Sequence, residues 1–129
     1  MKEKTKKTTK GSKKFNYKTI KTFEDACKEL ELDSSEVFSS SDTPDEIAYM
    51  KLKTVTRAIN HGWTPAWNNS NQRKWWPYFN LSSGFGFSGT YCNCVNTYTA
   101  VGSRLCFESE EKARYAGTQF KELYKQFLE

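Results

Sequence analysis

The chain has 129 residues, 36% of them apolar, and a mean hydropathy of −0.81. That length fits one domain, and four Trp, seven Tyr and nine Phe suffice to fill a core once a polar tail is set aside. No run approaches the roughly 18 uncharged apolar residues of a membrane span, and no apolar stretch of a secretory signal follows the N-terminal lysines, so the sequence predicts a cytoplasmic protein with reduced cysteines.

The net charge of +5 conceals a segregation. Residues 1–14 hold seven Lys and one Glu, residues 15–46 carry three Lys against nine acidic groups, and residues 47–107 carry six basic groups and no acid. An acidic helical part is therefore expected beside a basic aromatic part, with a basic tail attached.

Residues 1–14, MKEKTKKTTKGSKK, have no apolar residue after Met1 and so nothing to bury against the entropy of ordering. They are expected to form a disordered Lys-rich tail ahead of a single domain over 15–129. Thr22 can cap a helix through FEDACKELEL, with Asp25 completing a capping box and Phe23, Ala26, Cys27 and Leu30 on one face. The Ser-rich stretch that follows reads as a helical turn plus loop. At TPDE, Thr43 is placed to cap, Pro44 suits the first helical position, and Asp45 and Glu46 suit the positive helix end. The helix begun there has an apolar stripe of Ala48, Leu52, Val55 and Ile59, and Gly62 is the expected left-handed residue that ends it, with His61 in the last turn.

From Trp63 to Phe107 the pattern changes to short aromatic or β-branched runs broken by Gly, Asn and Ser, with candidate strands at 75–80, 84–87, 90–95 and 101–107. Pro77 belongs at an edge or a strand start, having no N–H for a ladder. Ser109 then caps a final helix whose stripe is Ala113, Ala116, Phe120, Leu123 and Phe127. The fold class is α+β: two or three helices packed on a small antiparallel sheet of three or four strands.

The segment WNNSNQRKWWPYF lies within 29 residues that hold nine rings, from Trp63 to Tyr91. Rings that stack on bases, with cations on the phosphates, hold single-stranded nucleic acid without reading sequence, and the same rings suit sugar faces. Strand alternation also sends every second ring inward, so part of the segment is core. Trp76 and Phe79 are expected to pack inside. Trp67, Asn69, Arg73, Lys74, Trp75 and Tyr78 are the candidate ligand-binding residues.

Three other features carry less. The G-x-G-x-x-G at Gly84, Gly86 and Gly89 leads into TYCNCVNTYT, a strand-like run, whereas a phosphate cradle must open a helix. Cys92 and Cys94 share a strand face, and a hairpin centred on Thr99 would set Cys106 opposite Cys92, with His61 or Cys27 as a further ligand. Paired C-x-x-C knuckles are lacking, so no metal and no cofactor are assigned. A Cys–His nucleophile pair would need His61, the sole histidine, to reach a distant thiol, so no catalytic residue is assigned and the chain reads as non-enzymatic.

The string from RAINHGWTPAWNNSNQRKWWPYF through SSGFGFSG to VGSRLCFESEEKARYAGTQFKELYKQF resembles small proteins of no assigned activity carried by bacteriophages, prophages and mobile elements of the Bacteroides group. The resemblance covers about residues 20–128 and rests on Trp63, Pro65, Trp67, Pro77 and Arg104-Leu105-Cys106-Phe107. It implies a phage-type protein acting inside a bacterial host cell, and it carries over no catalytic residue. The expected function is contact with a polyanion, single-stranded nucleic acid first. The alternatives are an interaction module for a host protein and a virion or assembly component.

Overall fold

A computed structural model describes residues 14–82, 84–94 and 103–129. The tail reading for residues 1–14 falls outside the described residues except for Lys14, as do the proposed turn at Thr99 and the start of the strand expected at 101–107. Helix α1, Phe23–Leu30, begins with the expected capping box: the Thr22 hydroxyl accepts from the Asp25 N–H at 3.0 Å, and the Asp25 carboxylate accepts from the Thr22 N–H at 3.2 Å. Helix α2, Pro44–Asn60, starts with the Glu46 carboxylate accepting from the Thr43 N–H at 2.9 Å. Its stripe of Ala48, Leu52, Val55 and Ile59 is wholly buried. The left-handed residue that closes α2 is His61, at φ +48°, one position before the expected glycine, and Gly62 follows at φ +92°.

The sheet is smaller than expected. Strands β1, Lys74–Asn80, and β2, Gly86–Asn93, form an antiparallel pair, and the two runs expected at 84–87 and 90–95 are one strand. Tyr78 pairs with Gly89 and Phe79 with Phe87, so Ser88 is an extra residue that the ladder absorbs as a bulge. Of the described residues 103–107 in the strand expected at 101–107, only Phe107 pairs, exchanging hydrogen bonds of 3.0 and 2.7 Å with Trp75, because Ser103–Leu105 coils into a 3₁₀ turn. Phe107 and β2 thus flank β1 on opposite sides. Cys106 therefore does not lie opposite Cys92; β1 runs between them. Pro77 is two residues from Trp75, so its missing N–H faces the Phe107 side, beyond the single bridge, and no bond to β2 is lost.

The final helix is two helices, α3 Glu110–Gln119 and α4 Lys121–Leu128, broken at Phe120 with φ −109° and ψ 29°. The expected stripe runs through the break unchanged, which is why periodicity alone does not show it. Two neighbours account for the break: Gly117 weakens the last turn of α3, and the Thr118 hydroxyl donates back to the carbonyls of Arg114 and Tyr115, both at 3.1 Å. Beyond the break Tyr124 enters the core, an inward residue that the stripe does not include.

The two faces of β1 meet different things. Trp75, Pro77 and Phe79 face α3 and α4, where Phe79 packs on Tyr124 with ring centroids 4.9 Å apart. Lys74 and Trp76 face the loop that leaves α2, with Trp76 between Trp67 at 6.3 Å and Tyr91 at 5.9 Å, and Tyr78 on the same side of the strand is exposed. Trp76 and Phe79 are thus inward-packed as expected, one on each face.

Candidate functional site

One flank of α2 carries Lys53, Thr56, Arg57 and Asn60, spaced by three or four residues, with Thr56 and Asn60 buried and Arg57 exposed. Asn60 is buried and uses both ends of its amide, donating to the Cys106 carbonyl at 3.0 Å and accepting from the Glu108 N–H at 3.1 Å. This clamp holds the segment carrying Arg104 and Cys106 against the end of α2.

On leaving α2 the chain turns at Trp63, whose N–H donates to the Asn60 carbonyl at 3.1 Å. It then folds into two consecutive turns over 66–72, buckled by the Gln72 side chain accepting from the Ala66 N–H at 2.6 Å. Trp67 is carried back over β1 and lies on Trp76.

Between these parts is a recess of about 520 Å³, with Lys53, Arg57 and Arg104 around it, Trp63 and Trp67 as its flat walls, and Thr56 on the α2 side. No lining residue is acidic. Among the described residues no carboxylate pairs with Lys53, Arg57 or Arg104; Lys53 instead leans over the Tyr49 ring at 5.6 Å. The Lys74 ammonium, 4.9 Å from the Trp67 ring centroid, adds a fourth positive charge behind that wall. Cys106 also lines the recess, and burial pushes its thiol up to about 11 despite the pull of Lys74 in the other direction, so it is protonated at neutral pH and is a poor nucleophile.

The six residues singled out in the sequence are not brought together. Trp67 lines the recess, half-buried. Asn69 is exposed; its side chain accepts from the Asn71 N–H at 2.9 Å and its carbonyl accepts from Lys74. Arg73 is exposed but does not line the recess. Lys74 is fully buried, donating to the carbonyls of Asn69 at 3.2 Å and Cys94 at 2.6 Å, so its charge acts only through the Trp67 wall and no ligand can touch it. Trp75 packs against the helical core on the far face, which removes it from the same surface. Tyr78 is 49% exposed at the other end of β1, its ring over Gly89.

What the sequence reading passed over is the cationic flank of α2 with Trp63 and Arg104. Part of the signal was legible: Lys53 and Arg57 are four apart on a helix whose opposite stripe is apolar, inside the acid-free stretch. The other chemistry-bearing groups lie apart from the recess. His61 stacks on Phe15 with ring centroids 3.8 Å apart and sets its Nδ1 3.3 Å from Glu29. The glycines of the G-x-G-x-x-G run into β2, a strand, so no helix N-terminus stands behind them. Among the described residues no three His, Cys, Asp or Glu side chains gather around a metal position. The chain matches no family model, no curated protein and no solved structure, so what the recess can do is read from its own residues.

Proposed function

We propose that the protein is a non-enzymatic binding protein for single-stranded nucleic acid and that the recess beside α2 is where the strand is held. The observation that carries this reading is the convergence of Lys53, Arg57 and Arg104 with two indoles around one acid-free cavity. Cations without carboxylate partners favour a phosphate, and an indole offers the π-face on which any base stacks. A volume of about 520 Å³ suits one unstacked nucleotide with its phosphate and leaves no room for duplex. Strand binding within a bacterial host cell also agrees with the phage-type provenance that the sequence resemblance implies.

A fluorescence titration with a short unstructured oligonucleotide at low and moderate salt tests the proposal, since Trp63 and Trp67 report on the recess directly. Affinity should fall steeply with salt, and the Arg57→Gln, Arg104→Gln double variant should lower the salt slope by roughly 1 to 2. Replacing Trp63 by Leu should cost about 1–3 kcal/mol of binding energy through lost stacking. Absence of binding at low salt, or a double variant that binds as the parent does, counts against the reading.

A further inference from the structure

Lys53 and Arg57 line two recesses rather than one. On their far side is a second hollow of about 330 Å³, walled by Leu32, Val37 and Met50 and carrying Asp33 and Glu36. Asp33 is firmly ionised: the hydroxyl and N–H of Ser35 donate to it at 2.8 and 3.0 Å and hold its carboxyl below the usual carboxylate range. The two cations are therefore a boundary, with an acid-free aromatic recess on one side and an acidic, apolar hollow on the other. A phosphodiester backbone that reached Lys53 and Arg57 from the aromatic side would run next into two carboxylates, which repel it. A strand that stops at the boundary meets no such repulsion. Its last phosphate, as a monoester, carries a charge of about −1.5 to −2 and three acceptor oxygens, against the single charge of an internal diester. Lys53, Arg57 and Arg104, none of which has a carboxylate partner among the described residues, match that larger charge.

We infer that the recess recognises a nucleoside phosphomonoester, the phosphorylated end of a single strand, with the terminal phosphate against Lys53, Arg57 and Arg104 and the terminal base against Trp63 and Trp67. The inference rests on the nucleic-acid reading above and sharpens it. It makes the site a reader of ends rather than a track along the backbone, and it gives Asp33 and Glu36 the role of blocking passage.

Anisotropy titrations of the full chain with oligonucleotides of one sequence carry the test, the strands bearing a 5′-phosphate, a 3′-phosphate, hydroxyls at both ends, or no ends because the strand is circular. One phosphorylated form should bind about tenfold tighter than the hydroxyl-ended and circular strands, the gain expected of charge-assisted contacts. The Asp33→Asn, Glu36→Gln variant keeps the hydrogen-bond acceptors of that hollow but removes its charge, so it should tighten binding of the circular strand and narrow the preference. Competition by a nucleoside monophosphate as strong as by the phosphorylated strand assigns the same chemistry to free nucleotides. Competition by the strand alone assigns it to strand ends, and either result upholds monoester recognition. Equal affinity for phosphorylated, hydroxyl-ended and circular strands overturns the inference while leaving the strand-binding reading intact; binding of none of them removes that reading first.

Discussion

The two faces of β1 keep water from large rings by different physical means. On the helical face Trp75, Pro77 and Phe79 meet α3 and α4, and the contact is one of shape: a Cβ on Gly117 would lie 2.5 Å from Phe87 and 2.8 Å from Pro77, so the α3 backbone itself rests on the sheet. On the other face Trp76 is covered by a loop made largely of Asn, Ser and Gln, which has little apolar surface to offer. There the cover is tied by a buried ammonium, with Lys74 bonded to carbonyls of Asn69 and Cys94 and set under the Trp67 ring. The comparison shows why the recess opens where it does. A cover held by a few polar ties over an irregular loop leaves space beside it, whereas on the helical face the α3 backbone lies directly against Phe87 and Pro77.

The largest effect should come from breaking the shape-held face. Gly117→Val places a branched side chain where even one carbon overlaps the Phe87 ring and the Pro77 ring, and the proline ring cannot yield cheaply. A loss of about 3 kcal/mol is expected, seen as a lower urea midpoint at unchanged slope. A variant as stable as the parent would show that α3 stands farther from the sheet than described.

On the tied face the corresponding change is Lys74→Met, which keeps the length of the stem and removes the charge. It relieves the cost of a buried ammonium but takes this donor from the Cys94 carbonyl, the Asn69 carbonyl keeping the Gln72 N–H at 3.2 Å, and it ends the contact with Trp67, so a net loss of about 2 kcal/mol is expected. The loss should be local as well as global: amide exchange over residues 66–73 should rise more than in α2, and Trp67 emission should shift to the red. If the loop keeps its protection in this variant, the rings alone hold it and the contrast between the faces fails.

How far the sequence discloses each face follows from the same contrast. The caps at Thr22, Thr43 and Ser109 and the stripes of α2 and α3 are local patterns, and local patterns are readable within a few residues. Trp76 and Phe79 both pack inward, but alternation puts them on opposite faces of β1 and cannot say what covers either, so Trp75 and Lys74 looked available when both are covered. The acceptors that hold the Lys74 ammonium come from positions 69 and 94, and no spacing rule joins them. The recess has the same character: Lys53 and Arg57 are legible as one helix flank, while Arg104 reaches it only through the Asn60 clamp, 46 residues from Cys106 in sequence. The break at Phe120 is hidden because a stripe of three and four spacings is compatible with one helix or two.

Alkaline titration gives the smallest and most diagnostic test, since each face buries one weak acid. Burial pushes the Cys106 thiol, which lines the recess, from its ordinary 9.0 up to about 11, and pushes the Tyr124 phenol, on the helical face, above its ordinary 10.0. Both groups bind their proton more tightly in the folded chain. Their contribution to stability is therefore fully present below the unfolded values and is lost as pH rises, because the unfolded chain releases the protons first. The urea midpoint should hold to about pH 9, fall between about 9 and 11 as Cys106 is felt, and fall further where Tyr124 adds to it above about pH 10. Cys106→Ala should reduce the first part of that fall, in which the buried Cys27 thiol, also pushed up by burial, shares, and Tyr124→Phe only the second. Tyr124→Phe should not weaken the protein at neutral pH, because the hydroxyl it deletes is buried without a hydrogen-bond partner among the described residues; stability should hold or rise by about 1 kcal/mol. If Tyr124→Phe flattens the fall and Cys106→Ala does not, the helical face is dry and the tied face admits water. That outcome would extend the recess beneath Trp67 and move the boundary between the two faces into β1 itself.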